Sequence, residues 1–325
     1  RTFCAYCARV FTYRNNSSKT KDYATIKEIG KEGNNMEPFV TIVTPTYNLL
    51  ENNLADDFNL LISLLDLQTY PNIEHMVIDN ASNDGTVEML KDYKNKGFFK
   101  FFSEKDTGKF NAYNKGVMRA KGKYIAFLSC DDFIHDITSI YDIVNLMEET
   151  DADFTFAPAY CRHPEGFVFL FAPSMHNAFQ VMPCARQAMF FKKSMIEKEN
   201  YFDEKFKTMS DFDFIMRIIM KGYKPAFFDN NYVTYKLGTK ALENPERSEN
   251  ESKAIYYKNF RNLYPLNEEM LDRMAKYSEF PKPLLDRLAK FFPEADRDLF
   301  FEKCEQMHNI RVQAIEQQKR IKENM

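Results

Sequence analysis

From Pro38 onward, short β-branched and aromatic runs alternate with stretches in which apolar residues recur every three or four positions. The run 39–44 (FVTIVT), stopped by Pro45, reads as a buried strand. Leu54, Phe58, Leu61 and Leu65 follow at helical spacing and form one apolar face. A second strand over 75–78 ends at Asp79, and the turn-rich 80–85 leads into a helix carrying Val87 and Leu90, with Ser82 or Asp84 as its cap. A Phe-rich strand at 98–102, a helix around 112–120 and a strand at 124–128 then run into Ser129-Cys130-Asp131-Asp132. Strand, helix, strand, helix in that order implies parallel pairing with right-handed crossovers.

The middle of the chain continues with a helix through Ile140, Ile143 and Met147, strands near Phe154 and at 167–171, a segment at 187–191, and a helix opened by Asp211 and Asp213. Beyond about Lys240 the pattern is helical alone, punctuated by Pro265, Pro281, Pro283 and Pro293. Residues 283–292 put Leu284, Leu285, Leu288, Phe291 and Phe292 on one side and Asp286, Arg287 and Lys290 on the other. Packing against the preceding domain is the expected use of that face, with an interfacial, peripheral membrane helix as the rival. The expectation is an α/β domain over 37–240 and an all-helical C-terminal extension over 241–325. Residues 1–36 are polar and weakly patterned and begin with Arg, so they read as a leader or the remnant of a preceding region in a longer chain.

Charge narrows the function classes. Lys and Arg number 44 against 47 Asp and Glu, a formal net charge of −3, so there is no basic footprint for nucleic acid. The most apolar run, 60–67, is interrupted by Ser63 and Asp66 and is too short to cross a bilayer. Six widely spaced cysteines and no secretory or transit signal read as reduced thiols in the cytoplasm. Cys4 and Cys7 form a lone CxxC without the second pair that a tetrahedral zinc site needs. None of the five histidines reads as a metal ligand.

In open α/β sheets ligands bind at the carboxyl ends of the strands. Asp79 ends one strand, and Asp131 with Asp132 ends another. Three carboxylates at one sheet edge need a divalent metal or a positively charged group to neutralise them. Mg²⁺ and Mn²⁺ suit adjacent aspartates because they take one or two protein carboxylates and leave their other positions to water and phosphate.

TIVTPTYN (41–48), VIDNASNDGT (77–86), EKDTGKFNAYNKG (104–116), GKYIAFLSCDD (122–132) and SDFDFIMR (210–217) occur in this order. Together they resemble family 2 glycosyltransferases, inverting enzymes of the GT-A fold that use nucleotide sugars. The resemblance spans roughly 37–238 and implies a Rossmann-like, mostly parallel sheet flanked by helices. Carried over by position, it assigns Thr44, Pro45, Tyr47 and Asn48 to the loop around the nucleotide base and Asp79 to a hydrogen bond from uracil. Asp131 falls near the ribose and metal, Asp132 is the direct metal ligand, and Lys109, Asn111, Asn114 and Lys115 lie around the nucleotide and donor sugar. Asp211 takes the place of the catalytic base, with Asp213 the competing choice and a cap its more usual role.

The implied reaction moves a sugar from a nucleotide diphosphate sugar, with UDP favoured, to a hydroxyl of a glycan or lipid-linked acceptor in surface polysaccharide synthesis such as capsule or lipopolysaccharide. The implied cofactor is Mn²⁺ or Mg²⁺. The implied place is the cytoplasm, with peripheral contact at the inner face of its membrane. Three departures bear on the acceptor side. Arg186-Gln187-Ala188 stands where relatives often have His-Gln-Ala, and Arg186 reads equally as an anion grip or a surface ion pair. Ser210 replaces an acidic residue before the base, and Gly238-Thr239 replaces Gly-Gly. A nucleotidyltransferase would show a Gly-rich basic loop where TPTYN stands, and a non-catalytic scaffold would not need four carboxylates. With no Trp among 31 Phe and 18 Tyr, sugar stacking falls to Tyr47, Phe110 or Tyr160, and the Phe-rich strands, 167–171 included, are expected to be mostly core.

Overall fold

The computed structural model describes residues 37–237 and 244–323. The 1–36 leader with Cys4 and Cys7, and Gly238-Thr239, lie outside the described residues. Strand and helix alternate through β1 (Val40–Thr46), α1 (Ala55–Asp66), β2 (Ile73–Asp79), α2 (Thr86–Asn95), β3 (Lys100–Ser103), α3 (Lys109–Arg119) and β4 (Tyr124–Phe127). There follow β5 (Phe133–Ile134), α4 (Ser139–Thr150), β6 (Phe154–Phe156), β7 (Ala159–Arg162), β8 (Val168–Phe171), β9 (Phe190–Lys192), α5 (Lys193–Lys198), α6 (Ser210–Met220), β10 (Pro225–Phe227) and β11 (Val233–Lys236). The helices α7 (Pro245–Phe260), α8 (Glu268–Tyr277), α9 (Lys282–Leu288) and α10 (Arg297–Glu323) come last.

The main sheet has the order β10-β6-β9-β4-β1-β2-β3. Its pairs are parallel except at β9, which runs antiparallel to β4 and β6. β1 lies between β2 and β4, so the chain winds first to one side and then to the other. The crevice at that switch point is where such sheets bind ligands. β1 extends two residues past the expected stop, through Pro45 to Thr46. Leu128 donates to the Val43 carbonyl, so Val43, and with it Pro45 two residues on, turns its backbone towards β4. β4 has ended by then, so the missing proline N–H costs no ladder bond.

Residue parity sorts the core. Val43, Ile78, Ile125 and Phe127 face one side of the sheet, and Ile42, Val77, Tyr124 and Ala126 face the other. On the first side α3 lies close to β1 because Gly116 has no Cβ, which would collide with the Val43 side chain. The C-terminal helices belong to this same core. Ile255, Phe260, Leu271, Met274 and Phe300 cluster with Phe179, Phe212 and Ile215. Gln180 Nε2 donates to the carbonyls of Ser278 at 2.9 Å and Cys304 at 3.3 Å. The apolar side of 283–292 is used up here, since Leu284, Leu288 and Phe292 are buried against the sheet domain.

Several expectations are corrected. Phe167, Val168, Phe169 and Leu170 are exposed rather than core. Val168–Phe171 is the edge strand of a second sheet, ordered β5-β11-β7-β8. Phe110 is buried and cannot stack on a sugar. Helix α2 begins at Gly85 in the left-handed conformation (φ 97°), and Asp84 accepts the Thr86 N–H from just outside it; Ser82 turns back to Asp79 instead.

Candidate active site

The carboxyl ends of β1 and β2 are tied together from within. Thr44 is buried, and its Oγ1 lies 3.0 Å from Nε2 of His75, whose burial drops its pKa to about 3 and keeps it neutral. Asn48 takes a left-handed φ of 46° and spends its amide on Glu51 and Asn83. Asp79 is fully buried. Its two oxygens accept from Thr46 Oγ1 at 3.2 Å, Ser82 N at 2.9 Å, Ser82 Oγ, and Ser103 Oγ at 2.7 Å. Four donors fill both oxygens, so Asp79 locks the loop and does not present itself to a base. The residues of this group that reach the surface are Pro45, the exposed Tyr47 and Asn80, which follows Asp79 and accepts the Asp106 N–H at 2.7 Å.

The pair after β4 has a different character. Asp132 is 1% exposed; its Oδ2 accepts the Ser129 N–H at 2.6 Å, while its buried Oδ1 makes no hydrogen bond of normal geometry, the Gln187 amide being a further donor beside this carboxylate. Burial raises its carboxyl to about 6, the adjacent Asp131 charge adding to the rise and Arg186 opposing it. Asp131 is more open, with Lys236 Nζ 3.8 Å from its carboxylate. Arg162 donates to the Asp131 carbonyl at 2.6 Å and lies over the Phe133 ring. Asp57 of α1 joins this group, and its carboxyl is raised mainly by burial. The neutralising cations expected from the sequence are thus present as Arg162, Lys236 and Arg186. No cluster of three or more His, Cys, Asp or Glu side chains able to hold a metal occurs among the described residues. A buried carboxylate oxygen without a hydrogen bond of normal geometry, beside a second, more open carboxylate, still fits a divalent ion that takes its remaining ligands from phosphate and water.

Helix α3 contributes scaffolding. Asn114 is buried; its Oδ1 accepts Phe202 N at 3.0 Å and its Nδ2 donates to Phe202 O at 2.9 Å and Glu204 Oε1 at 2.8 Å. Asn111 also donates to Glu204, at 2.8 Å. Both amides therefore hold the loop that leads into α6. Lys109, at the start of α3, is exposed, with Nζ 4.7 Å from the Phe110 ring centroid, and Lys115 donates to the Lys105 carbonyl.

Asp211 sits in the first turn of α6 and accepts from Arg186 Nη1 at 3.0 Å. Arg186 is not on the surface: it is 7% exposed, its guanidinium lies 4.8 Å from the Tyr113 ring centroid, and it feels the charges of both Asp211 and Asp132. It therefore links the β4 carboxylates to the α6 carboxylate. Asp213 neither caps the helix nor faces the site. It is fully buried and accepts from Arg217 Nε, Lys258 Nζ and Asn259 Nδ2 at 2.9, 2.9 and 3.0 Å. Glu251 of α7 accepts the N–H groups of Lys207, Thr208 and Met209 just before α6. Nothing in the local pattern around Glu251 signalled that role. Arg186 was visible as a departure from the motif, but its partner was not.

Comparison with known proteins decides what this constellation belongs to. The model of glycosyl transferase family 2 matches residues 41–223. The chain belongs to that family. As a family 2 glycosyltransferase it sets aside the nucleotidyltransferase and scaffold readings. A glycosyltransferase of Methanocaldococcus jannaschii, MJ1057, is 26% identical over 62% of this chain and 71% of its own length. The putative teichuronic acid biosynthesis glycosyltransferase TuaG of Bacillus subtilis is 35% identical over 30% of this chain and 38% of its own. Among solved structures, S. aureus TarS 1–349 superposes with a TM-score of 0.55 at 17% identity, over 87% of this chain and 91% of that one. The Pyrobaculum calidifontis mannosyltransferase PcManGT, in complex with GDP-Man and Mn²⁺, has a TM-score of 0.52 at 14% identity, over 95% and 94%. These likenesses carry the fold. Among the described residues no helix is long and apolar enough to cross a membrane.

Proposed function

We propose that this glycosyltransferase moves a sugar from a nucleoside diphosphate sugar to a hydroxyl of a glycan or lipid-linked acceptor, with inversion at the anomeric carbon. The observation that carries the reading is Asp132, whose buried Oδ1 makes no hydrogen bond of normal geometry beside the more open Asp131 at the sheet's switch point. These two aspartates would hold Mn²⁺ or Mg²⁺, which when bound stabilises the charge that develops on the leaving diphosphate. Pro45, Tyr47 and Asn80 form the surface available to the base. Uridine is favoured because TarS has also been solved in complex with UDP-GlcNAc, and Mn²⁺ accompanies GDP-Man in PcManGT.

Asp211 is the base: from α6 it removes the acceptor hydroxyl proton as the oxygen attacks. Four buried free cysteines among the described residues fit a reducing, cytoplasmic setting, and the TuaG relative fits surface polysaccharide synthesis. A thermal-shift screen of UDP, GDP and dTDP with and without Mn²⁺ tests the donor site. Stabilisation by one nucleotide that needs Mn²⁺ and is lost in Asp132→Ala is expected. Equal stabilisation of wild type and variant would remove the metal assignment.

A further inference from the structure

Arg186 is more than 90% buried, yet it uses few of its donors. Nη1 bonds Asp211 at 3.0 Å, the guanidinium plane lies by Tyr113, and Nε is buried without a partner. A guanidinium presents five N–H groups in a rigid fork suited to phosphate oxygens. Leaving one of them buried and unsatisfied is costly, so Nε is open to an acceptor atom from outside the protein. Oδ1 of Asp132, without a hydrogen bond of normal geometry, marks the same neighbourhood from the metal side. Asp211, for its part, is occupied: Oδ2 accepts from Arg186 Nη1 at 3.0 Å and Oδ1 from Phe212 N at 3.1 Å, so the ion pair must part before Oδ2 can meet an acceptor hydroxyl.

We propose that Arg186 is a switch between the base and the leaving group. In the donor-free enzyme it holds Asp211; when a nucleoside diphosphate sugar binds, its fork turns to the diphosphate and Asp211 is released to act as base. This rests on the donor reading above. In the transfer, the acceptor O–H gives its proton to Asp211 and the oxygen bonds to the anomeric carbon. The bond from that carbon to the phosphate oxygen breaks, with its electron pair going to the diphosphate that Arg186 then holds. A consequence is order: the base is competent only after the donor is in place.

The test is calorimetric titration of UDP into the full chain, with Mn²⁺ throughout, for wild type, Arg186→Gln, Asp211→Asn and the double variant. Asp211→Asn frees the guanidinium, so UDP should bind several-fold more tightly, whereas Arg186→Gln should weaken binding by about tenfold or more. In the double variant the gain from Asp211→Asn should vanish. A gain that survives without Arg186 would show simple relief of charge repulsion and overturn the switch, as would no gain at all. If Arg186→Gln fails to fold, Arg186→Lys replaces it in the cycle. Its single ammonium should keep only part of the gain, and a full gain there counts against the fork. Should wild type bind none of UDP, GDP and dTDP, the donor reading itself falls; binding that ignores the cycle removes the switch alone.

Discussion

Glu251, on the first of the C-terminal helices, accepts the backbone N–H of Met209 at 2.9 Å, two residues before the proposed base. The same carboxylate takes the N–H groups of Lys207 and Thr208 and the Thr208 hydroxyl. It thereby fixes the entry to α6. Glu251→Ala should lower stability by about 1–3 kcal/mol, the cost of stranding hydrogen bonds to a charged group. Turnover should fall while UDP affinity stays near wild type, which stopped-assay kinetics and calorimetry would separate.

The two aspartates of α6 should respond in opposite ways. Asp213 is fully buried among Arg217, Lys258 and Asn259, so Asp213→Ala leaves cations without their partner and should cost about 3–5 kcal/mol. Asp211 is partly open and has one cationic partner, so Asp211→Asn should keep the fold and abolish transfer. Chemical denaturation with a donor-hydrolysis assay distinguishes them. A folded, active Asp211→Asn enzyme would remove Asp211 as base.

Asp132, the proposed metal ligand, should lower stability when it is ionised. Its folded-state carboxyl titrates at about 6, above the usual carboxylate range, so the native state holds more protons than the unfolded chain between roughly pH 4 and 6. Stability from this group therefore falls as pH rises through that window and stays lower above it. Asp132→Asn should raise Tm at pH 7.5 by about 2 °C or more, with the difference closing towards pH 4. Mn²⁺ affinity should run the other way, weakening as pH drops below about 6, since the ion requires the ionised carboxylate. Calorimetric scans and Mn²⁺ titration across pH 5–8 check both.

Strand β8 should govern behaviour at high concentration. Val168 and Leu170 are 56% and 51% exposed on an edge strand, an arrangement that invites pairing between molecules. Val168→Lys/Leu170→Lys should reduce aggregation, followed by light scattering, with Tm unchanged. A lower Tm would mean that these side chains pack against the protein.

Much of the sheet was legible because residue parity and strand–helix alternation are local signals, and β1, β2 and β4 lie within a few residues of their expected ends. Their aspartates were legible as a group but not as individuals. Asp79 ends β2 and Asp132 follows β4, yet Ser82, three residues on, consumes Asp79 while Asp132 Oδ1 makes no hydrogen bond of normal geometry. The run at 167–171 satisfied the criteria for a buried strand, but side chains of both parities are open along β8, so nothing covers either face of this edge strand. Arg186 with Asp211 and Glu251 with Met209 are side-chain matters between distant segments, for which no spacing rule exists.

The hydrogen bond from Gln180 to the carbonyl of Cys304 joins residues 124 positions apart, and Phe179 meets Phe300 in the same place. Contacts of that span form late, since the loop-closure entropy precedes the reward. During synthesis the outer side of α6 and the segment around Phe179 would wait, apolar and uncovered, until α7 to α10 leave the ribosome. Acquisition of the native active site should therefore lag behind formation of the sheet, and the nascent chain should depend on chaperones over that interval.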